Sequence, residues 1–152
     1  MKEIGVIVNS LKDDINSYNM VNCLNKIAKD NKCCMFLLNN ENHKLISEAK
    51  FSIFKGESLF HFTGSLVSTS LFNTQCCVNS LYAEKKYLYL NQLEWMHLEN
   101  FNHDQLTNLF FNKEINIVSN SKSHDEIITK LFKRTIGTVY NWNPEDLLKV
   151  IE

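Results

Sequence analysis

The chain has 152 residues, 44% of them hydrophobic, and a formal net charge of −1 at neutral pH. This length predicts one domain, 1–152, that buries roughly 70% of the surface of its unfolded chain. The 16 basic residues include a single arginine, Arg134, and form no basic stripe, which disfavours nucleic-acid binding. The amino-terminal apolar run is too short for a signal sequence or a membrane span, so we expect a cytoplasmic protein with no membrane contact.

The five cysteines lie in apolar runs and contain no C-x-x-C pair. Adjacent cysteines cannot readily bridge to each other, so we expect reduced thiols that serve as small core residues rather than metal ligands or a nucleophile. The five histidines are scattered, without a spacing that collects a zinc ion. We therefore expect neither a metal site nor a cofactor. The cysteines are Cys23, Cys33, Cys34, Cys76 and Cys77.

The start of the chain predicts two buried strands joined by a helix. Residues 3–9 (EIGVIVN) and 33–38 are continuous apolar runs, which is typical of strands buried on both faces of a parallel sheet. Between them, Asp13 or Asp14 can cap a crossover helix whose apolar residues recur at helical spacing.

Two further short strands are predicted at 49–54 and 59–62, and residues 65–81 then predict a helix. Gly64, in the segment HFTGS between the second strand and this helix, allows a close approach of the backbone either to a ligand or to a neighbouring helix. The chain contains neither G-x-G-x-x-G nor GK[ST]. A dinucleotide fingerprint and a phosphate-binding P-loop are therefore not supported.

Residues 85–91 (KKYLYLN) alternate aromatic and aliphatic side chains, and they predict a strand that leads into Glu94 and Trp95. A glutamate beside a tryptophan can be a general base next to a platform on which a sugar or base stacks. The alternative is an amphipathic tryptophan beside a solvated glutamate. Glu94 is the one candidate for a catalytic residue.

The last part of the chain repeats the alternation of strand and helix. Residues 115–118 predict a strand, and Ser123 with Glu126 has the spacing of a capping box for the helix that follows. A short strand is predicted at 135–140. The Asn143–Pro144 pair, followed by two acidic residues, marks the start of a terminal helix.

This order predicts an α/β fold, a three-layer Rossmann-like sandwich with a mostly parallel sheet of five to seven strands. In such sheets ligands bind outside the carboxyl ends of the strands, where small polar residues are expected. Residues 119–121 either bind a phosphate or sugar at a helix terminus or only cap that helix. The predicted ligand-binding residues are Ser10, Gly64, Ser65, Ser119, Asn120 and Ser121.

Four segments make the chain resemble one Rossmann-like half of a GT-B glycosyltransferase. They are HFTGS after a strand, KKYLYLNQLEW as a strand leading to an acid and an aromatic residue, IVSNSKSHDEII as a strand, serine and helix, and YNWNPEDLLKVI as a closing turn and helix. The resemblance spans residues 1–152 as one half. GT-B enzymes close two such domains around an activated sugar, whereas this chain has no E-x7-E donor motif and no second half.

The resemblance implies a stand-alone glycosyltransferase-like domain that binds a nucleotide-sugar, another polar small molecule or a protein partner, without complete catalysis in one chain. The alternative is a nucleotide-sugar-dependent glycosyltransferase, or a subunit that completes its site in a homo-oligomer. A third hypothesis is a purely structural partner, for which Tyr82, Trp95 and Trp142 would form one exposed aromatic patch.

Overall fold

A computed structural model describes residues 1–39, 47–97, 102–133 and 135–151 of the chain, so Arg134 lies outside the described residues. The strands of the described part are β1 Glu3–Val8, β2 Lys32–Leu37, β3 Ser52–Lys55, β4 Ser65–Ser68, β5 Lys85–Leu90, β6 Ile115–Ser119 and β7 Gly137–Thr138. The α-helices are α1 Ile15–Ile27, α2 Leu71–Asn79, α3 His103–Phe110, α4 Lys122–Leu131 and α5 Pro144–Val150. Short 3-10 helices cover Gly56–His61, Glu94–Met96 and Tyr140–Trp142.

The seven strands form one parallel sheet in the order β3-β2-β1-β4-β5-β6-β7. This arrangement confirms the predicted α/β class with a parallel central sheet. The chain adds β2 and β3 on one side of β1, and then returns to add β4 to β7 on the other side. The order therefore reverses between β1 and β4, which makes this the topological switch point of the sheet.

Helices cover both faces of the sheet and create two apolar cores. One core joins α1 and α5 to alternate residues of the central strands, such as Ile4 and Val6 of β1. The other joins α2, α3 and α4 to the opposite face, where Ile7 points. Since consecutive residues of β1 are buried on alternate faces, the strand is apolar without interruption.

The sequence prediction is wrong between residues 59 and 81. Residues 59–62 belong to the 3-10 helix Gly56–His61 and its end, the strand lies at Ser65–Ser68, and the helix begins only at Leu71. The reason lies in the cap: Ser70 accepts a hydrogen bond from the backbone of Asn73, whose side chain bonds back to the cap. The residues Ser65–Ser68 pair with β1 and β5 instead of forming the start of the helix. The predicted strands at 3–9, 85–91 and 115–118 correspond to β1, β5 and β6.

Gly64 permits a close approach within the protein. A Cβ atom at this position would overlap the backbone carbonyl of Glu3 in β1, so only glycine lets the start of β4 lie against β1. The packing interpretation of Gly64 is therefore confirmed, although its neighbour is a strand and not a helix.

Two predicted boundaries near the carboxyl end also change. Ser121, not Ser123, caps α4, because its backbone is extended directly after β6 and its Oγ accepts the N–H of His124 at 3.2 Å. The predicted strand 135–140 shortens to Gly137–Thr138. The start of the terminal helix is confirmed, since Asn143 Oδ1 accepts backbone N–H groups of the first turn of α5.

The five cysteines are unbridged thiols, and three of them, Cys23, Cys34 and Cys77, are buried. Burial raises the pKa of each of these three thiols to about 12. They are therefore protonated at neutral pH and act as small apolar residues, as predicted.

Candidate functional site

A polar crevice opens at the carboxyl ends of β1, β4 and β5, at the switch point of the sheet. Its volume is about 380 Å³, and its walls come from the loop after β1, the start of α1, the loop after β4 and the loop after β5. Side chains that can donate or accept hydrogen bonds dominate these walls. They include Asn9, Ser10, Lys12, Asp14, Asn16, Thr69, Ser70, Asn91 and Gln92.

A buried hydrogen-bond network holds the wall after β4 in place. Asn73, which is fully buried, donates from Nδ2 to the carbonyl of Ile7 at 3.1 Å and accepts the backbone N–H groups of Thr69 and Ser70 at 3.0 and 3.2 Å. The hydroxyl of Thr69 donates to the same Ile7 carbonyl at 2.8 Å. These bonds join the loop after β4 to the end of β1, so the crevice between them is preorganised.

Carboxylates of the protein itself already occupy both helix N-termini beside the crevice. Asp14 Oδ1 accepts the N–H of Ser17 at 2.8 Å at the start of α1. At the start of α2, the N–H of Leu71 donates to Glu94 Oε2 at 3.0 Å. A bound phosphate would use the same N–H groups and would meet these negative charges. Among the lining residues that the structure describes, Lys12 is the single cation.

Glu94 therefore has a structural role in this geometry. The residue lies in the loop after β5 and is partly buried. Its carboxylate stabilises the first turn of α2 by accepting the N–H of Leu71. Burial raises the pKa of Glu94, and the hydrogen bond from Leu71 acts in the opposite direction. Glu94 does not line the crevice.

The aromatic residues of the sequence hypothesis do not form an exposed patch. Trp95 packs edge-on against the rings of Phe110 and Phe132, at centroid distances of 5.2 and 5.5 Å. Trp142 is buried, whereas Tyr82 is exposed. The alternative of an amphipathic tryptophan beside a solvated glutamate is therefore half right: Trp95 is half-buried, but Glu94 is partly buried and accepts the N–H of Leu71. The three residues form no common exposed patch.

Of the predicted ligand-binding residues, only Ser10 lines the crevice. Gly64 and Ser65 lie at the amino end of β4, on the opposite edge of the sheet. Their predicted position is wrong because the strand lies at Ser65–Ser68 and not at 59–62, so these two residues stand at its start and not after its end.

Residues 119–121 lie at the carboxyl end of β6, but internal hydrogen bonds engage all three side chains. Ser119 Oγ lies 3.0 Å from the hydroxyl of Thr138. Asn120 Oδ1 accepts from the Tyr89 hydroxyl at 3.0 Å and from the N–H of Asn141 at 2.8 Å. Ser121 caps α4. The capping alternative therefore describes this segment better than the ligand-binding one.

The sequence interpretation missed Lys12, Thr69 and Ser70 as wall residues. The signal for the last two was the spacing of Ser70 and Asn73, in which a cap residue is followed three positions later by a side chain that bonds back to it. Extending the predicted helix back to residue 65 concealed this cap. Lys12 carries no local signal, since a lysine after a strand is common on any surface.

In the described parts of the chain, no group of three or more His, Cys, Asp or Glu side chains could hold a metal ion. No described helix has the length and apolar character needed to cross a membrane.

Comparisons with protein-family models, with curated proteins and with solved structures found no match for this chain. The geometry of the crevice is therefore the basis for a functional assignment.

Proposed function

We propose that this chain is a small-ligand-binding module, and that the crevice between β1 and β4 holds an uncharged, hydroxyl-rich molecule such as a sugar. The observation that carries the proposal is the composition of the crevice walls at the switch point. Amide and hydroxyl groups, which both donate and accept hydrogen bonds, match the alternating donors and acceptors of a sugar.

Charge favours an uncharged ligand over a phosphate. Lys12 and Asp14 contribute one positive and one negative side chain to the walls. The N–H of Leu71, a donor that a phosphate would need, is bonded to Glu94. A phosphate would displace this carboxylate or remain beside it, and both cost binding free energy.

The size of the crevice supports the same ligand class. A volume of about 380 Å³ lies near the lower end of the range of roughly 300–1,000 Å³ that is typical of small-molecule sites. A monosaccharide or disaccharide fits this range. The network around Asn73 keeps the walls ordered before binding, which reduces the entropic cost of holding such a ligand.

The resemblance to half of a GT-B glycosyltransferase is compatible with a sugar ligand and leads to a second proposal. In it, the chain is a nucleotide-sugar-dependent glycosyltransferase, or a subunit that completes its site in an oligomer. The observation in its favour is Lys12, which lines the crevice and carries a flexible ammonium group that can approach a diphosphate.

A thermal-shift screen with free monosaccharides, UDP, GDP and their sugar conjugates tests both proposals. A sugar present at ten times its Kd should raise Tm by about 3–5 °C. Ser10→Leu fills the crevice and should remove this shift, whereas Ser123→Leu, on the exposed surface of α4, should retain it.

The pattern of shifts separates the two proposals. Shifts with free sugars support the uncharged-ligand module. Shifts with nucleotide-sugars alone, abolished by Lys12→Ala, would contradict it in favour of a donor site. If no compound stabilises the wild type, or if Ser10→Leu binds normally, the crevice is not the ligand site.

A further inference from the structure

A second and larger cavity lies at the opposite edge of the sheet, beside the amino ends of β2 and β3. Its volume is about 540 Å³. Its lining extends from there along the two strands to Phe36 and Phe54, which lie one residue before the carboxyl ends of β2 and β3. The two cavities share no lining residue. We call it the amino-edge cavity, and it is separate from the switch-point crevice.

Of the four phenylalanines that line the amino-edge cavity, three form an aromatic wall: Phe36, Phe54 and Phe62. The Phe36 ring stacks on Phe54 with centroids 5.9 Å apart and meets the edge of Phe62 at 5.5 Å. Phe36 and Phe62 are 2% and 7% exposed, whereas Phe54 on the edge strand is 45% exposed. Part of the Phe54 ring thus remains uncovered beside a cavity, where another ring can stack on it.

The sheet itself holds this aromatic wall in place. A Cβ atom at Gly5 of β1 would lie 2.9 Å from Cε2 of Phe36 and 3.1 Å from Cε1 of Phe62. The absence of a side chain at Gly5 therefore creates the space into which both rings pack. Because Phe54 stacks on a ring anchored in this way, its orientation is set before any ligand binds.

The charged residues around the aromatic wall are mainly cationic. Lys32 and Lys50 line the cavity together with one acidic residue, Glu3. In the described part of the chain, the one ion pair within 4.0 Å joins Lys86 to Glu114. No carboxylate of the described residues lies within 4.0 Å of either ammonium group, and the two positive charges favour an anion.

The two thiols at the cavity add uncharged, polarisable surface. Cys33 and Cys34 both line it. Burial raises the pKa of Cys33 to about 11 and that of Cys34 to about 12. At neutral pH both thiols are protonated and unreactive, so they suit non-covalent contact with an apolar ring.

We infer that the amino-edge cavity binds a small planar aromatic anion, whose ring stacks on Phe54 and whose acidic group is attracted to Lys32 and Lys50. The hydroxyls of Ser58 and Thr63, which also line the cavity, offer further donors to the acid. This site is independent of the switch-point crevice and of the sugar ligand proposed for it.

The test uses two fluorescent probes that differ in one charged group. 8-Anilinonaphthalene-1-sulfonate carries a planar naphthalene ring and a sulfonate, and N-phenyl-1-naphthylamine is its counterpart without the charged group. We expect the wild type to bind one sulfonate probe saturably. Phe54→Ala should weaken this binding about tenfold. The double variant Lys32→Glu, Lys50→Glu should weaken the sulfonate about fivefold and leave the neutral probe unchanged.

Matched controls separate the site from general surface effects. Phe111→Ala removes another half-exposed phenylalanine, and the double variant Lys113→Glu, Lys122→Glu makes the same change in net charge elsewhere. Both should bind the sulfonate as the wild type does. Circular dichroism confirms that each variant is folded, and the lysine variants keep the test decisive if Phe54→Ala does not fold.

Three outcomes would overturn the inference. The first is the absence of saturable binding of the sulfonate by the folded wild type. The second is an equal loss of affinity in the site variants and their controls. The third is binding of the neutral probe as tightly as the sulfonate, because the cavity would then be an apolar surface that does not select an anion.

Discussion

Nε1 of Trp142 donates a hydrogen bond of 2.9 Å to Oδ1 of Asn16, which lies 126 positions earlier in the chain. Trp142 has a φ of 60°, a left-handed conformation that is costly for a bulky side chain. Its ring also packs on Tyr89 at a centroid distance of 4.3 Å. Because Asn16 lines the switch-point crevice, this bond links the 3-10 turn before α5 to the wall of the candidate site.

We expect Trp142→Phe to lower the free energy of unfolding by about 1–2 kcal/mol, since it retains an aromatic ring but leaves Asn16 Oδ1 without its donor. Urea denaturation followed by circular dichroism measures the change. Tyr140→Phe is the control, because Tyr140 is exposed and should be near neutral. Equal stability of the two variants would contradict the role given to the indole N–H.

Asn120 should stabilise the fold whether or not a ligand binds. Its Oδ1 accepts from Tyr89 and from the backbone of Asn141, and its Nδ2 donates to the carbonyl of Asn91 at 3.3 Å. Asn120→Ala removes the partner of the Asn141 N–H and of the Asn91 carbonyl, whereas the Tyr89 hydroxyl retains the carbonyl of Val139 at 3.0 Å. The substitution should cost about 1–2 kcal/mol. Chemical denaturation checks this value against Asn108→Ala on the exposed surface of α3. If Asn120→Ala lowers the free energy of unfolding by no more than Asn108→Ala does, water replaces the hydrogen bonds of the Asn120 side chain.

Gly64→Ala should destabilise the protein by about 2 kcal/mol or more, because the added Cβ meets the backbone of Glu3, which cannot move without disturbing β1. Gly137→Ala is a matched control: its Cβ would lie 2.7 Å from Cγ2 of Val150, a side chain that can adjust. In thermal unfolding, Gly64→Ala should have a lower Tm than Gly137→Ala. The reverse order would mean that the start of β4 is not held against β1 as described.

Glu94 should give the stability a dependence on pH. Burial raises its folded pKa above the unfolded value, so the folded state binds more protons than the unfolded state between these two values. Its contribution is thus most favourable below the unfolded pKa, at about pH 4, and falls as pH rises through the folded pKa. Glu94→Gln should flatten this part of the stability profile.

Denaturation midpoints from pH 4 to 8 measure the effect of Glu94. The glutamine retains an oxygen that can accept the N–H of Leu71, so its stability near neutral pH should equal or exceed that of the wild type. Glu126→Gln, at an exposed position of α4, should leave the profile unchanged. A profile that is identical in Glu94→Gln and the wild type would assign the pH dependence to other groups.

Local pattern was sufficient to predict the fold class. The runs at β1 and β5 are apolar on successive residues because helices cover both faces of the sheet. Burial on both faces is therefore visible in the sequence as consecutive apolar residues. The Asn143–Pro144 start of α5 was also readable, since a cap and its first turn lie within four residues. Each of these signals depends on contacts that recur at every residue or every helical turn.

Pairing between distant segments determined the rest. Leu59, Phe62, Leu66 and Val67 are all buried, and apolar residues over so short a span fit a strand or a helix equally well. Because Ser65 pairs with Ile4 of β1, the strand contains Leu66 and Val67 and not Leu59 and Phe62. That register also moves Gly64 and Ser65 to the amino edge, away from Ser10.

The candidate sites depend on tertiary structure for the same reason. Ser10, Thr69 and Asn91 come together at one crevice only because β1, β4 and β5 are neighbours in the sheet. Residues 119–121 have a suitable local sequence, but β7 and the turn after it supply partners for Ser119 and Asn120. Whether a polar side chain faces a ligand or another part of the protein depends on segments far away in the chain, and local periodicity carries no information about them.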